Sequence, residues 1–274
     1  MLEMLRVEAR AARAGLRQWS TTRTWSRFAR AHNRLEPGSF VSLGEFTVCV
    51  NDGPNFAILC KDIFEKRIYH FESDSPGPVI IDCGSNIGMS ILYFKKIYPK
   101  AKIIGFEPDP GIFTYLQKNI QANRIEGVTV HMAALASDSG TGILVGDGKY
   151  GSSLALNPDA VGPAREGIEV SCVRLADYLD EPIDLLKMNI EGVEWPVLKD
   201  TGDRLRLVRQ MIIEYHHLPG LPRTLHEILG LLDRLGFEVM INDFDIETNP
   251  GVAPPFRLDR DTRYFLLIYA RRKD

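Results

Sequence analysis

Cysteine is scarce: the chain of 274 residues has four, Cys49, Cys60, Cys83 and Cys172, and no two of them stand as a C-x-x-C pair. That spacing argues against a zinc cluster or a disulfide framework. It is compatible with a reducing compartment, so a cytoplasmic location is the expectation. Long apolar runs are missing as well: none approaches the roughly 18 residues that a membrane-spanning helix needs. No apolar stretch follows the N-terminal charges, as a secretory leader would require. Excess positive charge is also absent. The formal net charge is -3, which leaves no electrostatic footprint for nucleic acid. A base-flipping motif of the Asn-Pro-Pro-Tyr type does not occur either. There is no internal repeat and no low-complexity segment. What is present, 45% hydrophobic residues, suffices for one substantial core with a small appendage.

The composition divides the chain into residues 1–77, an N-terminal helical arm with a small β-rich cap, and residues 78–274, the main domain. In the arm, eight arginines (Arg6, Arg10, Arg13, Arg17, Arg23, Arg27, Arg30 and Arg34) face only Glu3, Glu8 and Glu36. Leu5, Ala9, Ala12, Leu16 and Trp19 form one helical stripe. Three readings compete for this segment: a helix packed on the domain or on a second copy of the chain, giving a homo-oligomer; a helix on a membrane surface or an anionic substrate; and an organelle transit peptide. After it, residues 46–50 and 56–59 read as paired strands around an Asn51-Asp-Gly-Pro54 turn. A short helix near residues 62–70 follows. This piece is too small to fold alone and is expected to cap an edge or mouth of the main sheet.

The main domain opens on residues 78–88, Pro-Val-Ile-Ile-Asp-Cys-Gly-Ser-Asn-Ile-Gly. Val79 to Ile81 is a short β-branched run of the buried parallel type. Asp82 ends it, and Gly84 and Gly88 bracket a turn too tight for side chains. Ile87, Ile91, Phe94 and Tyr98 then recur along one helical face. Strand, glycine turn and helix bring backbone against a ligand at the carboxyl edge of an open α/β sheet. Asn86 stands where a dinucleotide fingerprint would have its second glycine, which counts against a nucleotide-dependent oxidoreductase. Cys83, beside the turn, reads as a small apolar filler. A second buried strand, residues 103–106, is tipped by Glu107 and stopped by Pro108. An acid there, 25 residues past Asp82, is placed to accept hydrogen bonds from two ribose hydroxyls. A ribose clamp, plus an acid that suits an ammonium group and no phosphate site, fits S-adenosylmethionine.

Strands and helices then alternate, as in a doubly wound sheet. A helix over residues 110–122 has Pro110 in its first turn. A strand over 128–131 leads to Met132 and Ala133, where an adenine ring would find small or apolar neighbours. Residues 141–145 and 168–173 form a hairpin in this reading. Between them, 146–167 is a mobile flap with Tyr150, Ser152 and Ser153 as its substrate contacts. Strands over 183–190 and 210–216, a helix over 225–235, and an antiparallel closing pair over 237–241 and 264–269 complete the domain.

Every polar cluster falls at the carboxyl end of a predicted strand: Asp82, Glu107, Asn189 with Glu191, and Glu214 with His216. His216 is the expected general base for a hydroxyl acceptor, and His217 should point to the opposite face. Asn189, Glu191, Glu194 and Glu214 could instead hold a divalent cation. The dense aspartate set of a dedicated magnesium site is lacking, so a metal is possible but not favoured. Lys187 shares the parity of Asn189 and is expected to lie buried against one of these acids.

Taken together, Ile81-Asp-Cys-Gly-Ser-Asn-Ile-Gly88, Phe106-Glu-Pro108, Leu186-Lys-Met-Asn-Ile-Glu-Gly-Val-Glu194 and Ile213-Glu-Tyr-His216 resemble the FkbM family of S-adenosylmethionine-dependent methyltransferases, over roughly residues 46–245. The resemblance implies a class I methyltransferase fold, Rossmann-like and doubly wound with seven strands, and O-methylation of a hydroxyl on a sugar or natural-product-type small molecule. Asp82, Gly84, Asn86 and Glu107 match its cofactor positions; Ser85, Gly88, Pro108, Met132, Ala133 and Asn189 complete the expected donor site. Glu191 and His216 match polar positions facing the acceptor, so His216, Glu191 and Asn189 are the candidate catalytic residues, with Glu214 beside the substrate. The family segment usually reads Lys-Ile-Asp-x-Glu-Gly, and here Asn189 replaces the aspartate. An amide cannot act as a base and is a poor substitute for an anionic metal ligand. Its presence keeps open a catalytically silent cofactor-binding or scaffold protein of the same fold.

Overall fold

The computed structural model describes residues 35–146, 152–155, 167–218, 221–243 and 264–273. The arginine-rich arm up to residue 34 lies outside them, as do Tyr150 and most of the expected flap. In chain order the elements are β1 (Phe40–Leu43), β2 (Phe46–Cys49), α1 (Gly53–Leu59), β3 (Val79–Cys83), α2 (Met89–Ile97), β4 (Lys102–Phe106) and α3 (Pro110–Ala122). They continue with β5 (Val128–His131), β6 (Ala134–Ala136), β7 (Gly140–Gly146), β8 (Ser152–Ala155), β9 (Gly167–Arg174), β10 (Ile183–Met188) and α4 (Glu194–Thr201). The last are β11 (Val208–His217), α5 (Leu225–Arg234), β12 (Phe237–Asp243) and β13 (Tyr264–Arg272).

Seven strands form the main sheet in the order β12-β13-β11-β10-β3-β4-β5. From β11 through β5 all neighbours are parallel, while β13 runs antiparallel to both β11 and β12. The fold is therefore Rossmann-like, of the class I methyltransferase type, with the expected antiparallel closing pair. Chain order runs outward from β3 to β4 and β5 on one side, and returns to β10 and β11 on the other. The carboxyl ends of β3, β4 and β10 thus meet at a topological switch point, where open α/β sheets bind ligands.

Side-chain alternation along the strands feeds two cores. Ile80, Ile103, Leu185 and Ile212 pack with α2, α3 and the cap on one face. Ile81, Leu186, Met211 and Ile213 pack with Val197, Leu198, Ile228 and Leu232 on the other. Burying each such aliphatic side chain is worth roughly 1.5–3 kcal/mol, and Lys187 and Asp82 sit as charges within this apolar frame.

The cap differs from the sequence expectation. Residues 56–59 are not a strand: Asp52 accepts a hydrogen bond from Asn55 N–H at 2.7 Å and caps α1, with proline in its first turn. A π-helical turn, Cys60–Glu65, continues it in place of the helix expected over 62–70. The Asp-Gly-Pro sequence serves helix starts as well as turns, and here the start wins. β2 pairs instead with β1, and its other edge is satisfied by side chains of α3. The Asn119 amide receives Cys49 N–H at 2.6 Å and donates to Cys49 O and Ile87 O. Asn123 holds Thr47 N–H and O in the same manner. Val48, Phe56, Ile63, Tyr69 and Phe71 of the cap enter the same core as α2 and α3.

The expected hairpin of β7 and β9 is present, but it belongs to a separate four-stranded sheet, β6-β9-β7-β8. Part of the expected flap is strand: β8 pairs with β7 through Leu144↔Leu154 and Val145↔Ser153. Ser152 and Ser153 are described there as backbone only. Among the described residues no helix is long and apolar enough to cross a membrane.

Candidate active site

The glycine turn is built from backbone. Gly84 and Ser85 both donate to Phe106 O, at 3.0 and 2.8 Å, which ties the tip of β3 to β4. Asn189 N–H donates to Cys83 O at 2.9 Å and ties the same tip to β10. Gly84 has φ +86°, and a Cβ there would stand 1.9 Å from the Asn189 carbonyl oxygen, so only glycine fits. Asn86, a non-glycine residue at φ +49°, turns its N–H onto the Glu107 carboxylate at 2.9 Å. Glu107 also accepts from Asp109 N–H at 3.0 Å. Burial pushes its carboxyl up to about 7, against the lowering effect of these two N–H donors. Asp82 and Glu107 therefore close neighbouring strands on one edge of the sheet, as the spacing predicts.

Asp82 differs in what it holds. It is fully buried; Ser90 Oγ donates to it at 2.6 Å, and Lys187 Nζ lies 3.1 Å from its other oxygen. Lys187 is its register partner in β10, and the ammonium's hydrogen bond goes to Gly84 O at 2.7 Å. The 3.1 Å approach lacks hydrogen-bond direction, so that carboxylate oxygen remains without a formal donor. The ammonium nearest Asp82 within the fold is that of Lys187. Ser85 is equally inward, its hydroxyl donating to Asp82 O and fitting over Gly105. Gly88, at φ +92°, precedes α2, and a Cβ there would press on Leu116 Cδ1 at 2.8 Å. Pro108 follows Glu107 at the tip of β4, half-buried. Past β5, Ala133 is buried whereas Met132 is half exposed.

On the other side of the switch point the groups are charged and buried. Glu214 receives the hydroxyl of Tyr69, which comes from the cap, and Asn189 Nδ2 at 3.0 Å. Burial holds its carboxyl above the ordinary carboxylate range, offset in part by Lys187 and His216. His216 stands between two further acids: Nδ1 is 3.1 Å from Glu194 and Nε2 is 3.7 Å from Glu191. Burial alone would lower its pKa, but the carboxylates of Glu191, Glu194 and Glu214 outweigh burial and raise it to about 10. A raised pKa favours the protonated ring, the form that donates a proton rather than accepts one. Glu191 sits at φ +56° with its side chain 32% exposed, against 2% for Glu194. Left-handed backbone at a non-glycine residue is a strain that concentrates at functional sites. His217 points to the opposite face, as its parity requires, and lies against Tyr264 at 4.9 Å.

The expected polar residues Asp82, Glu107, Asn189, Glu191, Glu214 and His216 thus share one edge. Ser90 and Tyr69 also belong there and were not evident from sequence. Ser90 is the second residue of α2, two positions past Gly88. Tyr69 is 145 residues from Glu214, beyond the reach of any local pattern. Among the described residues no group of three or more His, Cys, Asp and Glu side chains is arranged to hold a metal. Of the oxygens proposed for one, those of Glu194 are engaged by His216 and Gly192 N–H and those of Glu214 by Tyr69 and Asn189, while Asn189 Oδ1 has no hydrogen-bond partner.

The methyltransferase FkbM domain matches residues 82–239 of this chain. Methyltransferase sdnD of Sordaria araneosa is 31% identical over 65% of this chain and 81% of its own length. The 31-O-demethyl-FK506 methyltransferase FkbM of Streptomyces tacrolimicus is 29% identical over 66% and 82% respectively. Among solved structures, the methyltransferase FkbM from Methylobacillus flagellatus KT covers 77% of this chain, and 48% of its own, at 16% identity with a TM-score of 0.47. With more than half of its residues matched by the family pattern, and with the pattern's strand-tip residues gathered on one edge of the sheet, this chain belongs to the FkbM methyltransferase domain family.

Proposed function

We propose that this protein is an S-adenosylmethionine-dependent O-methyltransferase acting on a hydroxyl of a sugar or natural-product-type small molecule. The observation that carries the reading is the junction of the side-chain-free bend at Gly84 with the buried Glu107 carboxylate on the neighbouring strand tip. The residues fit the donor by two tests. A Cβ at Gly84 would fill the cradle, and Asn189 Oδ1 is a buried acceptor with no partner. When bound, the donor supplies a methyl group activated on a sulfonium. Glu107 would take the ribose hydroxyls, and the bend of residues 84–88 would lie along the amino acid end.

In-line transfer asks the protein mainly for alignment, and a hydroxyl acceptor also needs a proton acceptor. Glu191 suits that task in this reading, being the half-open carboxylate of its cluster. His216 serves beside it as a fixed cation that favours the ionised form. The name of the Streptomyces relative specifies a 31-O-demethyl acceptor, which favours oxygen as the methylated atom here. Calorimetry with S-adenosylhomocysteine tests the reading: one equivalent should bind, and Glu107→Ala should abolish binding. No binding to the intact protein at millimolar ligand would end it. Asn189 in the aspartate position favours one second reading, a silent cofactor-binding protein. That reading predicts donor binding with no methyl gain in any acceptor of a broad hydroxyl panel.

A further inference from the structure

A buried chain of contacts that the family motif does not contain runs from the cap into the site. Tyr69 donates to one oxygen of Glu214, and Asn189 Nδ2 donates to the other at 3.0 Å. Because a carboxylate only accepts, it dictates the amide's orientation: nitrogen toward Glu214, carbonyl oxygen away from it. That oxygen is buried and has no partner, an unmade hydrogen bond that a ligand donor would supply. The Asn189 backbone abuts Gly84, whose missing Cβ would stand 1.9 Å from Asn189 O. The orphan acceptor is thus carried by the residue whose backbone lines the glycine bend.

We propose that Tyr69 is a positioning residue for the α-ammonium of the methyl donor: it holds Glu214 as an acceptor and so fixes Asn189 with its carbonyl oxygen presented to that ammonium. The inference rests on the S-adenosylmethionine reading above. Two observations favour a cationic N–H over a neutral donor. Asp82, the acid expected to take the ammonium, is fully buried and already lies against Lys187 and Ser90. Lys187, 5.0 Å over the Tyr69 ring, serves Asp82 and Glu214, and His216 serves Glu191, Glu194 and Glu214, so four acids share two cations and a ligand cation would reduce the excess. The groups facing Glu214 are Tyr69 from the cap, Lys187 and Asn189 from β10, Glu191 from the turn after it, His216 from its own strand and Tyr269 from β13. Of these, Lys187, His216 and the Tyr69 hydroxyl favour its ionised form, and Glu191 opposes it. Once protonated, Glu214 would donate to the amide oxygen and turn the amide, presenting an NH2 group where the ammonium needs an acceptor.

The test compares S-adenosylhomocysteine with its deaminated analogue by calorimetry across pH, in the intact protein and in Tyr69→Phe, which keeps the ring and removes only the hydroxyl. The intact protein should prefer the amine about tenfold or more, as for a hydrogen bond to a charged group. That preference should fall away on the acid side. Tyr69→Phe should move the fall to higher pH while leaving affinity for the analogue, which retains the ribose and its Glu107 contact, unchanged. Asn189→Ala should bind both compounds equally and serves if Tyr69→Phe does not fold. A uniform loss of affinity for both ligands with an unshifted pH profile would mean a merely structural tyrosine and overturn the proposal. So would equal affinity of the intact protein for both compounds, although the methyltransferase reading would stand. If the intact protein binds neither, both fail.

Discussion

The two halves of the site are built on opposite principles. At the β3–β4 side, position is fixed by backbone: paired N–H groups on Phe106 O, a glycine at φ +86° and an asparagine N–H on Glu107. At the β10–β11 side it is fixed by buried charge, with Lys187 between Asp82 and Glu214, and His216 between Glu191 and Glu194. A backbone cradle tolerates little steric change, and in this one the group that responds to pH is Glu107, whose carboxyl burial pushes up to about 7. A charge cluster tolerates changes of shape but depends on every member being present in the right protonation state.

Lys187→Met strikes the charged half hardest. It leaves Asp82 buried without its cation and should cost about 3–5 kcal/mol in chemical denaturation. The double variant with Asp82→Asn should recover part of that; equal losses in both would show that the pair's charge is unimportant. Gly84→Ala strikes the backbone half, forcing a Cβ against the Asn189 carbonyl at a left-handed φ. We expect a loss of about 3 kcal/mol and no detectable binding of S-adenosylhomocysteine. The smallest effect sharpens the contrast through pH. The His216 pKa is raised on folding to about 10, so its contribution is complete below the unfolded value of about 6.5 and is lost as pH climbs through about 10. Unfolding free energy should decline over that window in the intact protein and decline less in His216→Gln. Identical slopes would remove the imidazolium from the account.

The same contrast explains what could be read in the sequence. The backbone half is contiguous: Asp82, Gly84 and Gly88 fall within seven residues, and Asp109-Pro110 marks the start of α3 at its true boundary, residue 110. Glu107 follows from strand spacing, and the parities of His216 and His217 follow from strand period alone. The charged half is an assembly of distant parts. That Lys187 would lie against an acid was legible, but which acid depends on the β3–β10 register. The surroundings of His216 were not legible, because the acids that raise its pKa against burial, Glu191 and Glu194, approach it through the tight turn after β10. In the cap, Asn51-Asp-Gly-Pro54 carries signals for both a hairpin and a helix start, and the choice rests with the long-range partner of β2. That partner was β1 on one edge and the amides of α3 on the other, neither visible in a local window.

Those amides have a consequence for motion. One side chain, Asn119, fastens Cys49 in the cap and Ile87 in the bend at once. The N-terminal hairpin cannot peel away without releasing a tether on the loop that would cradle the cofactor. Local opening of the hairpin and loosening of that loop are therefore one cooperative event, and a ligand that tightens the loop should slow amide exchange at Thr47 and Cys49.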